Sequence, residues 1–423
     1  MNGSYLLLTG AGPAVTGTRM LQGPITIHHH GSVATQDKTT SFADATGPRR
    51  ITGYSWFCAA RDYRENRQES EITLDLIAAA GYQYIRIFRV LGYDRVDPDG
   101  PDIGDSGYFY RRGVSPVWGI DATVAFAHAC EARGLRIQCT AGHQWNSDEE
   151  RLQWESQLWE LVDMEGLSET FFLIEGDNEY WQNANGHNSD EQIALYGRLS
   201  KNIRLAMTPK PFFACGSAEN ESPELVRRSF SHSDACEIHT SRDPDKTIKR
   251  PFSLWYNEGH IDMYGVPFVH GEPRPPLGPD AFAPGAEPGR LVGAYAMAQL
   301  TGGALTYFTG ESVRGRSLFN NDMGPLNITR ALGFNEVPRL LSHLPENVAD
   351  SSHVLGGNIW WWLLPDGRFA TVADELWGPG ALKPPKLVKH YLRIGPNWSV
   401  TEGTGAPTLN PGEGGALFVG EFA

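Results

Sequence analysis

Two glutamates stand where a carboxyl group can do chemistry. Glu179 follows the apolar run TFFLI in TFFLIEGDNE, and Glu272 closes VPFVHGE, a run flanked by proline on each side. A glutamate at the end of such a buried run is costly without a function or a partner. Two carboxyls held about 5 to 5.5 Å apart can break an acetal by double displacement. One attacks the anomeric carbon; the other gives a proton to the leaving oxygen and later takes one from water. At that distance like charges drive the two acidities apart, so one group stays protonated and the other ionised. A nearby cation is then useful. Arg86 in YIRIFR is the best placed candidate, because a guanidinium keeps its charge and grips a carboxylate at a fixed angle.

Asn-Glu by itself selects nothing, since it recurs at Asn220 and Glu221, Asn257 and Glu258, and Asn335 and Glu336. Asn178 and Glu179 differ in being delivered to a strand end by an apolar run. His143 in TAGHQW and His239 in EIHTS also close apolar runs, where a histidine serves either the site or the core. Sugar rings offer apolar faces to aromatic side chains. Trp56, Trp145, Tyr180, Trp181 and Phe308 lie at or just beyond predicted strand ends and are the candidate stacking surfaces, with ordinary packing the competing role.

The elements that must position these groups repeat along the chain. Apolar runs begin at residues 51, 82, 135, 170, 211, 234, 266 and 304, and amphipathic stretches such as SEITLDLIAAAG and DEQIALYGRLSKNIRLAM lie between them. Eight strand and helix alternations predict an α/β fold, a closed (β/α)8 TIM barrel, over residues 51–345. An open doubly wound sheet would carry a glycine-rich phosphate loop after an early strand, and none follows ITGYSWFCA. Residues 1–50, rich in Gly, Thr and Ser, predict a small β-rich appendage. After Pro345 the helical rhythm stops. HVLGGNIWWWLLPDGRFATVADELW then reads as hairpins, so residues 346–423 form a C-terminal β-rich, sandwich-like domain.

In a barrel of this kind the chemistry lies where strands end. There the residues resemble clan A of the glycoside hydrolases, most nearly family 5, over about residues 51–345. The resemblance rests on Arg86 on strand two, His143 on strand three, Asn178 and Glu179 on strand four, His239 on strand six and Glu272 on strand seven. It implies that Glu179 is the general acid/base, Glu272 the nucleophile and Asn178 the partner of the sugar 2-hydroxyl. The family has Tyr two residues after the strand-six His, where Ser241 stands here, and Trp near the end of strand eight, where Tyr307 and Phe308 stand. Tyr256, in a neighbouring loop, is the candidate replacement for the tyrosine.

The expected partner is therefore a carbohydrate, a neutral β-linked poly- or oligosaccharide, with no cofactor required. The rival readings are a carbohydrate-binding barrel without catalysis and a metal-dependent hydrolase. The latter needs a ligand cluster that His143 and His239 do not complete. His28, His29 and His30 read as a surface or packed patch rather than a metal site. A formal net charge of -14 argues against nucleic acid and anionic membrane as partners. The five cysteines are odd in number and lack a CxxC pair, so buried thiols are expected. The first residues show neither a signal peptide nor an anchor, which fits secretion and cytoplasm alike.

Overall fold

A computed structural model describes residues 20–29, 40–88, 116–140, 147–177, 190–215, 217–218, 230–239, 266–272, 288–301, 303–308, 333–344, 352–356, 359–364, 366–374 and 380–423. All eight predicted apolar runs become parallel strands. After β1 (Thr26–His29), β2 (Thr40–Asp44) and β3 (Gly47–Arg49) come β4 (Ile51–Ser55), β5 (Tyr84–Phe88), β6 (Arg136–Thr140) and β7 (Phe171–Glu175). The fifth barrel position is shared by β8 (Phe212–Ala214) and β9 (Ser217–Ala218), followed by β10 (Cys236–His239), β11 (Phe268–Glu272) and β12 (Ala304–Tyr307). Strand order runs β8-β7-β6-β5-β4-β12-β11-β10-β9, and because β8 and β9 are nearly contiguous in sequence, the sheet comes round on itself as a (β/α)8 barrel.

Strands buried on both faces need side chains suited to two different neighbours. Ile85, Ile87, Ile137, Cys139, Ile174, Phe213, Ile238 and Leu305 belong to the main core shared with the helices. The alternate residues meet inside the barrel, where polar groups from distant strands touch: Tyr84 Oη lies 2.6 Å from Thr306 Oγ1. Gly53 makes that possible, because a Cβ there would stand 2.1 Å from the Tyr84 ring.

The helical stretches fall as expected. They form α1 (Ala59–Glu65), α2 (Arg67–Ala80), α3 (Pro116–Glu131), α4 (Asp148–Met164), α5 (Asp190–Ala206), α6 (Pro288–Thr301) and α7 (Val337–His343). Helix α2 stops at Gly81, whose φ of 96° is the left-handed conformation that ends helices. At the start of α4, Ser147 accepts from the Glu150 backbone N–H, and Asp148, Glu149 and Glu150 complement the positive end of the helix.

The amino-terminal strands do more than append. β1, β2 and β3 form an antiparallel sheet. From β2 the fully buried Phe42 reaches the rings of Phe172 and Phe212, with centroids 5.9 and 5.2 Å away. The same cluster contains Ile51, Val269 and Ala304, each first or second in its strand, so this segment closes the barrel floor. The carboxy-terminal region is a six-stranded antiparallel sheet of β13 (Ser352–Gly356), β14 (Ile359–Leu363), β15 (Arg368–Asp374), β20 (Gly415–Phe422), β17 (Val388–Ile394) and β18 (Val400–Gly403), with a ribbon of β16 (Gly380–Ala381) and β19 (Thr408–Leu409). One face of the six-stranded sheet, through Trp362, Val372, Leu417 and Val419, joins the core that holds Met297 of α6. The other face gathers Trp361, Phe369 and Phe418 around Leu382 and Leu409 beside the ribbon. The second layer on the barrel side is thus a helix. All five cysteines are buried and none is in a disulfide. No helix among the described residues is long and apolar enough to cross a membrane.

Candidate active site

Three carboxylates, one guanidinium and one imidazole converge inside the barrel. Glu272, the last residue of β11, receives Arg86 Nη1 at 2.6 Å, and His239 Nδ1 lies 3.7 Å from the same Oε1. Arg86 turns its other edge to Glu175, the last residue of β7, with Nη2 at 3.0 Å and Nε at 3.3 Å from Oε2. Thr140 Oγ1 donates to that same oxygen at 2.5 Å. Glu237, on β10, lies 3.1 Å from His239 Nε2 and accepts weakly from Gln138 Nε2 at 3.5 Å. Every one of these groups is buried, with Arg86, Glu175 and Glu237 fully so and Glu272 retaining 5% exposure. The rings of Phe57 and Phe88, their centroids 4.2 Å apart, lie together against the guanidinium, 5.3 and 5.2 Å from Cζ.

A local irregularity aims Glu272. Ile238 pairs with His270, but His239 pairs with Glu272, so Gly271 is an extra residue in β11. Such bulges re-aim side chains beside functional sites. Only glycine fits, because a Cβ at residue 271 would stand 1.6 Å from Glu237 Oε1. Gly271→Ala is expected to cost about 1–3 kcal/mol through overpacking, read as a lower melting temperature. An unchanged melting temperature would mean that Glu237 does not lie against this backbone.

Electrostatics follow from burial and charge count. Burial alone would strip charge from Arg86, but Glu175, Glu272 and Glu237 outweigh it and hold the guanidinium charged above its ordinary range. Burial, reinforced by the negative charge of Glu237, pushes the Glu175 carboxyl up to about 7, although Arg86, His239 and Thr140 pull the other way. Glu237 is buried too, yet His239, Arg86 and a hydrogen bond with Glu175 hold it below the usual range.

The Glu175 shift has a stability consequence. The folded chain keeps that proton up to about 7, whereas an unfolded glutamate releases it near 4.5. In between, the folded state binds more protons, so this contribution favours folding fully below 4.5 and is lost as pH rises through 7. Glu237, shifted downward, has its effect in the opposite sense and at lower pH. Urea unfolding across this window is expected to show a decline in wild type that Glu175→Gln lacks. Parallel curves would contradict the assignment.

Ligand atoms of Glu175, Glu237 and His239 lie within 4.8 Å of one another, a span a cation could bridge. The positive charge among them is already Arg86, whose Nη2 is 3.0 Å from Glu175 and 3.2 Å from His239 Nε2. The set is therefore a guanidinium site.

Of the residues expected at the site, Arg86, His239 and Glu272 come together. His143, Trp145, Asn178, Glu179, Tyr180, Trp181 and Tyr256 lie outside the described residues. The chain just before Asn178 is firmly anchored. Asp177 accepts from Arg151 Nη1 at 3.0 Å and from Tyr196 Oη at 2.9 Å, which ties the end of β7 to α4 and α5. Trp56, expected to stack on a sugar, is instead a core residue: it is 0% exposed, packs edge-on against Phe126, and donates its indole N–H to Asp62 at 2.9 Å. Phe308 is also closed off, at 2% exposure with its ring beside Phe57 and its N–H given to Tyr295. Both sit at strand ends, where position alone does not separate a stacking surface from a core ring. The sequence alone does not single out Glu175 or Glu237: the apolar run TFFLI predicts a strand reaching Glu179, whereas β7 ends at Glu175, and Glu237 lies one step inside His239 on β10. For Glu237 the signal is parity, because it precedes His239 by two residues, which puts both on one face of β10.

No family model matches the chain, and no curated protein does. Solved structures do share its fold. One described as a glycoside hydrolase superposes with a TM-score of 0.63 at 11% identity, covering 96% of this chain and 98% of its own. A family 5 glycoside hydrolase from Bacteroides vulgatus gives 0.60 at 12% identity, covering 90% and 92%. An exo-β-1,4-mannosidase from an Opitutaceae bacterium gives 0.50 at 14% identity, covering 76% and 63%.

Proposed function

We propose that this chain is a retaining glycoside hydrolase of the clan A type, cleaving β-glycosidic bonds of a neutral poly- or oligosaccharide. One observation carries the reading: a buried carboxylate, Glu272, ends the seventh barrel strand with Arg86 Nη1 at 2.6 Å. An acid there without work to do would be a poor use of a desolvated charge. Paired with Arg86 and fixed in direction, Glu272 is suited to attack an anomeric carbon.

In the proposed reaction Glu272 forms a bond to the anomeric carbon while the glycosidic C–O bond breaks, and Glu179 gives its proton to the departing oxygen. Water then attacks the glycosyl-enzyme as Glu179 takes a proton back, which releases the sugar and restores both carboxyls. Asn178 would receive the 2-hydroxyl. Arg86 would bear the charge of Glu272 before attack and after release, and no cofactor enters the scheme. The likeness of fold to glycoside hydrolase structures, at 11% and 12% identity, agrees with this reading.

The test is a screen of wild-type protein against 4-nitrophenyl β-glycosides and soluble β-glycans. Turnover of at least one, abolished by Glu272→Ala, is expected. Binding without turnover on every substrate would instead favour a carbohydrate-binding barrel.

A further inference from the structure

Beside Glu272 are two carboxyls that the proposed reaction leaves without a part. Glu175 and Glu237 turn into the same part of the barrel, where a carboxylate oxygen of each and a ring nitrogen of His239 lie within 4.8 Å of one another. Two fully buried carboxylates at that separation repel each other, and the repulsion is relieved when one of them carries a proton. Charge leads to the same place. Three carboxylates, Glu175, Glu237 and Glu272, are set against Arg86 and, when it is protonated, His239. Three negative charges against at most two positive ones leave an excess that a buried site relieves by taking up one proton. The other groups turned to the pair from neighbouring strands are Tyr84 on β5, Gln138 and Thr140 on β6 and Thr306 on β12, among which only Tyr84 titrates; its hydroxyl is engaged with Thr306.

The contacts also locate the proton. Glu175 Oε2 accepts from Arg86 and from Thr140, while Oε1 has only long contacts, 3.4 Å to Arg86 Nη2 and 4.0 Å to His239 Nε2. Glu237 Oε2 is buried and accepts no hydrogen bond among the described residues, so a proton on Glu175 would give it a donor.

We propose that Glu175 and Glu237 are positioning residues that share one proton, held on Glu175 Oε1, and so fix Arg86 and His239 against Glu272. With the proton in place, Glu175 draws on Arg86 only weakly and the guanidinium stays with Glu272. Once the proton is lost, Glu175 competes as a full carboxylate for the same guanidinium, and Glu272 loses part of its grip. The role given to Glu272 rests on the glycosidase reading; the shared proton does not.

The experiment separates the two. Infrared difference spectra of the full chain between about pH 5 and about pH 9 report the carbonyl band of a protonated carboxyl. Glu179→Gln is the background, so that the general acid adds no band. Loss of one such band with a midpoint near 7 is expected, and both Glu175→Gln and Glu237→Gln should lack it. Circular dichroism identifies any variant that has not folded, and the other variant then decides. A band that persists in the folded variants, or no titrating band without them, overturns the proposal. The positioning role is read from a pH profile on a 2,4-dinitrophenyl β-glycoside, whose leaving group needs no proton. Wild-type kcat/KM should fall as pH rises through about 7, and Glu175→Gln should move that limb upward whatever its absolute rate. An unmoved limb overturns the positioning role. A correct infrared result with no glycoside hydrolysed supports the proton-sharing pair and counts against the reading of Glu272 alone.

Discussion

Glu272→Ala is expected to lower kcat by on the order of 10⁴-fold or more, with the fold intact. No other described carboxyl can take its place: Glu175 and Glu237 are fully buried and oriented toward Arg86 and His239. Removing the side chain opens room at the end of β11 for a small anion. Sodium azide should therefore restore turnover of an aryl glycoside with a good leaving group and give a glycosyl azide of inverted anomeric configuration. Glu272→Gln keeps the volume and should be equally slow but resist rescue. Wild-type rates in either variant would remove Glu272 from the reaction.

The second large effect concerns Arg86. It holds Glu272 with one nitrogen and Glu175 with two, against the paired rings of Phe57 and Phe88. Lysine preserves the charge but presents a single point, which cannot bridge two carboxylates at once. Arg86→Lys is expected to reduce kcat by about 10²- to 10³-fold, comparable to the loss of one preorganised donor, with KM changed far less. Arg86→Ala leaves three buried carboxylates without their main counter-charge. A cost of about 3–5 kcal/mol is expected, as when one partner of a buried ion pair is removed. Chemical denaturation and steady-state kinetics on the two variants separate these effects. If Arg86→Lys retained wild-type kcat, the guanidinium geometry would be irrelevant to Glu272.

The barrel was legible because strands buried on both faces are written as short continuous apolar runs, and each run from ITGYSWFCA to ALTYFTG became a strand. Arg86, His239 and Glu272 were legible for the complementary reason: charged or titratable groups interrupt or end those runs. What escaped depends on contacts between distant segments. Nothing local marks Phe42 as the residue that closes the barrel floor, since its partners Phe172 and Phe212 lie more than a hundred positions away. Trp56 follows a strand as a stacking residue would, and only the approach of Asp62 and Phe126 shows that it is enclosed. The bulge at Gly271 becomes visible only when His239 and Glu272 are seen in register. Glu237 was within reach of parity, two residues inside His239 on β10, whereas Glu175 was hidden because nothing in TFFLIEGDNE shows that the strand stops at residue 175.

Retention through Glu272 is the central claim, and the anomer first released reports on it most directly. Proton NMR recorded within the first turnovers of a β-glycoside, before mutarotation, should show the β-anomer of the product sugar. Initial appearance of the α-anomer would mean inversion, with water attacking in place of Glu272, and would contradict the account.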